Sequence, residues 1–149
     1  MIKFIGTYSA RIDDRGRLVF PVSFKNLLEG GDCRLVVKKD LFAPCLNLFT
    51  YELWSEESDK IRNSLNFFNP KHSLFWRYYM NGRAVVEPDA KFGRINIPGQ
   101  MLEEIGVNKE VLFIGCDHKV ELWAKERWEA ENLLNGDYTT LASEIFGNI

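Results

Sequence analysis

Two short stretches decide how this chain is built: DDRGRLVFP at residues 13–21 and DAKFGRINIP at residues 89–98. Aligned on Gly16 and Gly93, they share Gly-Arg, an apolar residue, a spacer, a second apolar residue and a proline. Arg17 then matches Arg94, Leu18 matches Ile95, Phe20 matches Ile97 and Pro21 matches Pro98. Each stretch reads as a tight turn feeding a strand, because glycine supplies the positive φ that such turns often need and the following apolar residues alternate. Leu18, Phe20, Ile95 and Ile97 are predicted to face inward. Arg17, Val19, Arg94 and Asn96 are predicted to face outward.

The likeness persists on the C-terminal side. FKNLLEGGDCRLVV (24–37) answers QMLEEIGVNKEVLFIG (100–115), and LNLFTYELW (46–54) answers VELWAKERW (120–128). The chain therefore reads as an internal duplication. Each copy predicts an opening strand (Thr7 to Ile12; Ala84 to Glu87) and a second strand after the turn (Arg17 to Phe20; Arg94 to Ile97). A short helix follows the proline (Val22 to Leu28; Gln100 to Ile105) and stops at Gly30 or Gly106. Two more strands close each copy: Arg34 to Lys38 with Leu46 to Phe49, and Glu110 to Ile114 with Val120 to Trp123. Neither copy holds enough apolar surface to fold alone, so the two must pack or interlock into one domain. The repeats are placed at 1–54 and 80–128, with connecting helices at 55–79 and a helical tail at 129–149. In the connector, Trp54, Ile61 and Leu65 share one helix face, and Asn69-Pro70 breaks the helix. The next helix, Lys71 to Met80, is apolar around most of its circumference, which predicts burial or a subunit interface. The tail carries Leu133, Leu134, Leu141, Ala142, Ile145 and Phe146.

The bulk composition is that of an ordinary soluble domain: 149 residues, 46% hydrophobic and 27% charged. The formal net charge is −2, so a nucleic-acid role requires the positive charge to be gathered on one face. Cys33, Cys45 and Cys116 form no CxxC pair, and no signal peptide or membrane span is legible, which together point to a reducing cytoplasm. His72 and His118, even with Cys116 nearby, fall short of a metal-ligand set, and no catalytic or phosphate-loop motif is present. No cofactor, metal or enzymatic activity is expected. Trp54, Trp76, Trp123 and Trp128 read as packing residues rather than base-stacking platforms.

Arg11, Arg15 and Arg17 lie within seven residues around the first turn, with Arg83, Lys91 and Arg94 as the basic group of the second copy. A turn tip carrying arginines can reach phosphates and guanine edges in a groove. The competing reading is a solvated hairpin whose arginines pair with Asp13 and Asp14. Asp13 itself has two readings, one as the carboxylate that orients Arg17 and one as a turn residue bonded to its own backbone. Asp14 and Asp89 are the other candidate arginine-orienting carboxylates.

The first motif, with Asp13 four residues before Arg17, resembles the DxxxR signature of the MraZ family, relatives of the AbrB and MazE regulators and antitoxins. Gly6 and Tyr8, Glu52-Leu53-Trp54, the aromatic helix before Gly82, and Glu121-Leu122-Trp123 with Glu126-Arg127-Trp128 fit the same pattern. The second motif departs from it. Ala90 stands four residues before Arg94 and the carboxylate, Asp89, stands five before, which implies a less rigidly held arginine. The resemblance implies a mainly β, α+β fold: a duplicated swapped-hairpin (double-split) β-barrel with short flanking helices. It implies a ring-shaped homo-oligomer, typically an octamer, and a cytoplasmic, nucleoid-associated repressor of a cell-division and cell-wall gene cluster. It also implies binding to short direct repeats in promoter DNA. A rival expectation is a protein-interaction module of antitoxin type.

Overall fold

The structure, a computed structural model, describes residues 2–134 and 137–147, without the side chains of 132–134. Leu133 and Leu134 of the predicted apolar tail therefore lie outside the described side chains. The first half contains β1 (Phe4–Arg11), β2 (Leu18–Val19), α1 (Val22–Leu28), β3 (Leu35–Lys39) and β4 (Leu46–Thr50). Two helices follow, α2 (Tyr51–Asn63) and α3 (Pro70–Met80). The second half repeats the order with β5 (Ala84–Val86), β6 (Arg94–Ile95), α4 (Gly99–Glu104), β7 (Glu110–Asp117) and β8 (Val120–Ala124), and ends in α5 (Lys125–Leu134) and α6 (Tyr138–Phe146).

Six strands form one antiparallel sheet in the order β1-β7-β8-β4-β3-β5, and β2 pairs with β6 in a second, two-stranded sheet. The order is unchanged when every strand is exchanged for its counterpart in the other half. Each opening strand leaves its own half: β1 lies along β7 over eight residue pairs, and β5 lies along β3. At the centre of the large sheet Asn47 faces Glu121, flanked by Leu46 with Leu122 and Leu48 with Val120. In the small sheet Leu18 faces Ile95. The described strands make two sheets rather than one closed hydrogen-bonded barrel.

One apolar core lies between these layers and draws on both halves. Leu18, Phe20, Phe24 and Leu48 from the first meet Ile95, Ile97, Phe113 and Leu122 from the second. The inward and outward assignments around both motifs hold: Leu18, Phe20, Ile95 and Ile97 are buried, while Val19 and Asn96 are exposed. Phe24 locks α1 to this core, with its ring 5.4 Å from Phe4, 5.1 Å from Tyr8 and 5.9 Å from Phe20. Such ring pairs add specific edge-to-face attraction to the burial itself.

A polar group sits at the seam where β4 meets β8. The Lys119 ammonium lies 3.0 Å from Glu121 and 3.7 Å from Asp40, and it donates a 3.0 Å hydrogen bond to the Asn47 side-chain oxygen. The Asn47 amide in turn donates to Asp40 at 2.9 Å, and the Trp123 indole donates to Glu121 at 2.9 Å. Burial alone would raise the Asp40 carboxyl, but hydrogen bonds from Asn47, Phe42 and Ala43 and the Lys119 charge outweigh it and hold its pKa down at about 2.

Several predicted elements shift. β1 begins at Phe4 rather than Thr7, and β7 runs to Asp117 rather than Ile114, because each is paired along its length by a strand of the other half. β2 ends at Val19, one residue short of its predicted end, and β6 ends at Ile95, two short, while the Phe20 amide still bonds the Gly93 carbonyl at 2.8 Å. α2 starts at Tyr51, capped by the Thr50 hydroxyl, and so crosses the repeat boundary drawn at residue 54. In α3, started by the Asn69 cap and Pro70, no residue is buried, and Leu74, Phe75, Tyr78 and Met80 are exposed. The burial reading of that helix is thus corrected, because α3 has no sheet beneath its full circumference. Trp123 is buried with its ring edge-on to Trp128, while Trp54 and Trp76 are half-buried beside Tyr51 and Tyr79.

Candidate nucleic-acid interface

The first loop is organised by one carboxylate. Asp13 accepts hydrogen bonds from the amides of Arg15 (2.9 Å) and Arg17 (2.8 Å) through Oδ1, and from Arg17 Nε (2.8 Å) through Oδ2. The Gly16 amide closes the turn on the Asp13 carbonyl at 3.0 Å, with Gly16 at φ +77°. The Arg17 amide, above all, holds the Asp13 carboxyl below its ordinary range, against a smaller opposing effect of desolvation. The same Asp13 side chain thus bonds both the turn backbone and the Arg17 guanidinium.

The second loop reaches the same result with one more residue. The Gly93 amide closes on the Asp89 carbonyl at 2.9 Å, a five-residue turn instead of a four-residue one. Asp89 accepts from the amides of Lys91 (3.1 Å), Phe92 (2.6 Å) and Arg94 (2.9 Å), and from Arg94 Nε at 3.3 Å. The Phe92 amide is the largest of the effects that hold the Asp89 carboxyl at about 2. The arginine contact is longer than in the first loop, but the Arg94 guanidinium also stacks on Phe92, 4.5 Å from the ring centre.

Antiparallel pairing of β2 with β6 sets Val19 opposite Arg94, so the two loops flank one short ribbon. Asp13, Asp14, Arg15, Arg17 and Arg94 line a single open depression on the surface. Each clamped arginine is held through Nε, which leaves both Nη groups of Arg17 and of Arg94 without a protein hydrogen-bond partner among the described residues. A planar guanidinium fixed at one edge and open at the other is suited to bidentate acceptors such as a phosphate or the guanine O6/N7 edge.

A profile described as "MraZ protein, putative antitoxin-like" matches residues 80–132. Similarity to individual proteins extends further. A Bacteroides thetaiotaomicron protein named Transcriptional regulator MraZ is 36% identical over 149 aligned residues, which cover 99% of this chain and 95% of that one. The chain belongs to the MraZ family. A Bacteroides fragilis protein of the same name is 40% identical, with 87% of this chain and 82% of the relative aligned, and one from Lachnoclostridium phytofermentans is 35% identical with 90% of each aligned.

Within this MraZ-family fold the predicted residues separate into groups. Arg15, Arg17 and Arg94 come together with Asp13, and Lys91 lies beside Phe92 on the second loop. Arg11 does not join them. It is the last residue of β1, where it lies opposite Glu110 of β7, 3.9 Å from that carboxylate, and it does not line the depression. Arg83 is also elsewhere: burial lowers its pKa, it lies over the Tyr79 ring at 4.8 Å, and it lines a separate surface pocket with Lys39 and Glu104. Asp14 borders the depression, and among the described residues it makes no ion pair with the arginines.

Sequence reasoning missed two features. Lys25 on α1 donates to the Ala90 carbonyl at 3.3 Å, a contact across 65 residues for which no local signal exists. Asp40, Cys45 and Glu121 place their ligand atoms within 4.8 Å of one another. Lys119 stands beside both carboxylates and offsets part of their charge, so the group reads as a structural ion network.

Proposed function

We propose that this MraZ-family chain is a sequence-specific, double-stranded DNA-binding transcriptional regulator, acting as a repressor without enzymatic activity. The observation that carries this reading is the shared depression bordered by two carboxylate-held arginines, Arg17 and Arg94, with Arg15 at its edge. Relatives named as transcriptional regulators support it. Asp13 and Asp89 orient the two guanidiniums, Arg15 and Lys91 supply phosphate-directed charge, and the core-facing side of each motif strand keeps the loops in place. Arg11 and Arg83, away from the depression, are assigned to the periphery of the contact at most.

The exchanged pairing of β1 with β7 and β5 with β3 supports a swapped-hairpin, double-split barrel plan in which 1–54 and 80–128 form one pseudo-twofold domain, joined by 55–79 and followed by the tail at 129–149. The exposed aromatic residues of α3 and the apolar side of α6 support self-association into a ring, with an octamer as the family resemblance implies. The proposed target, in keeping with that resemblance, is a cell-division and cell-wall gene cluster recognised through short direct repeats in its promoter, and the proposed location is the cytoplasm at the nucleoid.

Fluorescence anisotropy on labelled duplex from the region upstream of the protein's own gene tests this. Wild type binds with affinity that falls steeply as salt rises. Arg17→Ala and Arg94→Ala each weaken binding about tenfold or more while the circular dichroism spectrum is unchanged. Binding that ignores both salt and these substitutions sinks the reading and leaves a protein-interaction module of antitoxin type.

A further inference from the structure

We infer that Lys25 is a positioning residue for the second arginine loop, supplied to it by the opposite half of the chain. The base of this side chain is anchored through its neighbour Phe24, which is fully buried against the rings of Phe4, Tyr8 and Phe20. From that anchor the Lys25 stem lies over Gly93. A Cβ added to Gly93 would stand 3.2 Å from Lys25 Cδ, and Gly93 is buried although it is a turn residue. The ammonium then reaches the Ala90 carbonyl at 3.3 Å. The loop is thus held at two points from the first half: Lys25 on Ala90, and the Phe20 amide on the Gly93 carbonyl at 2.8 Å.

Among the described residues the first loop has no equivalent brace. The position matching Lys25 in the second half is Leu102, which is buried, and a Cβ on Gly16 would meet nothing within 4 Å. This asymmetry answers the asymmetry of the motifs. The second turn contains an extra residue, and its carboxylate grips the arginine at 3.3 Å rather than 2.8 Å. A longer turn has more conformations to lose, so an external tether supplies order that the four-residue turn generates internally. Lys25 acts on Arg94 through the loop backbone. Its consequence for DNA affinity rests on the function proposed above, whereas the bracing itself does not.

The experiment reads the two separately. In 15N-labelled full-length protein the Nε–Hε resonances of Arg17 and Arg94, assigned by Arg17→Lys and Arg94→Lys, report how firmly each carboxylate holds its arginine. Lys25→Met keeps the stem and removes the ammonium, Lys25→Ala removes both, and Lys25→Arg restores a donor. The expected result is solvent exchange of the Arg94 proton accelerated severalfold in Lys25→Met and further in Lys25→Ala, near wild type in Lys25→Arg, with Arg17 unchanged throughout as internal control. On promoter duplex, Lys25→Met should weaken binding about fivefold with an unaltered salt slope. A slope reduced by about one unit would instead make Lys25 a direct phosphate ligand and overturn the positioning role. Arg94 exchange that is unchanged in both Lys25→Met and Lys25→Ala also overturns it. Should wild type fail to bind DNA while the exchange pattern appears, the proposed function fails and the bracing stands.

Discussion

Replacing Lys119 by Met takes the cation out of the seam network and leaves its surroundings intact. Removing one partner of a fully buried ion pair costs about 3–5 kcal/mol. Here Lys119, Asp40 and Glu121 keep 16%, 19% and 18% side-chain exposure, so water recovers part of that loss. Asp40 also retains the Asn47, Phe42 and Ala43 donors, and Glu121 retains Trp123. The remaining cost is two carboxylates facing each other across a half-dry seam, which we set at about 2 kcal/mol. With a urea slope of about 2 kcal/mol/M, the unfolding midpoint should fall by about 1 M. Equilibrium urea unfolding followed by tryptophan fluorescence, at one fixed protein concentration, measures this. Adding Glu121→Gln to Lys119→Met should recover roughly half of the loss, because the glutamine oxygen still accepts from Trp123 while one unpaired charge disappears. A midpoint within about 0.3 M of wild type for Lys119→Met, or no recovery in the double variant, would refute the reasoning.

Three further outcomes are expected. Asp40 and Asp89 have folded pKa values near 2 against about 3.9 unfolded, so their stabilisation is fully present above the unfolded value and is lost as pH falls through the folded one. Stability measured by urea midpoints should therefore be flat above about pH 5 and decline between about pH 4 and pH 2. Gly115→Ala should destabilise the fold by about 3 kcal/mol or more, since its Cβ would stand 2.6 Å from the Phe4 backbone carbon and a strand cannot step aside as a side chain can; thermal melts test it. If the acidic chain gains affinity by repeating its loops around a ring, gel shifts at fixed salt should show binding rising about a hundredfold from one promoter repeat to several, and equal binding to one repeat and four would remove avidity as the mechanism.

The local chemistry of both loops was legible because it is short-range. Asp13 with Arg17, and Asp89 with Arg94, are fixed by turn geometry within four or five residues, and the alternation around Leu18 and Ile95 declares which side meets the core. The one-residue offset in the second motif implies a looser grip, and the Arg94 contact is the longer of the two, but the Phe92 stack that accompanies it has no signature in the spacing. What remained hidden depends on partners distant in sequence. β1 extends back to Phe4 only because β7 lies beside it. Arg11 stays apart from the arginine group because Glu110 lies opposite it on β7, and Lys25 serves a loop that begins more than sixty residues later. The exposure of α3 was equally invisible, since an apolar helix pattern does not say what covers it.

The pairing of β1 with β7 also fixes when the protein can become itself. During synthesis β1 emerges with the first half, yet the strand it needs is completed only at Asp117. Until then Phe4 has neither its ladder partner nor the Phe113 side of the core, and the first half must wait as an incomplete hydrophobic surface. Contacts of such long sequence separation slow folding and lengthen exposure to aggregation. A ribosome stalled or a message truncated before the last strands would release a chain unable to finish its own first strand. The two arginine loops, which depend on the ribbon of β2 and β6, likewise take shape only once β6 of the second half has been made.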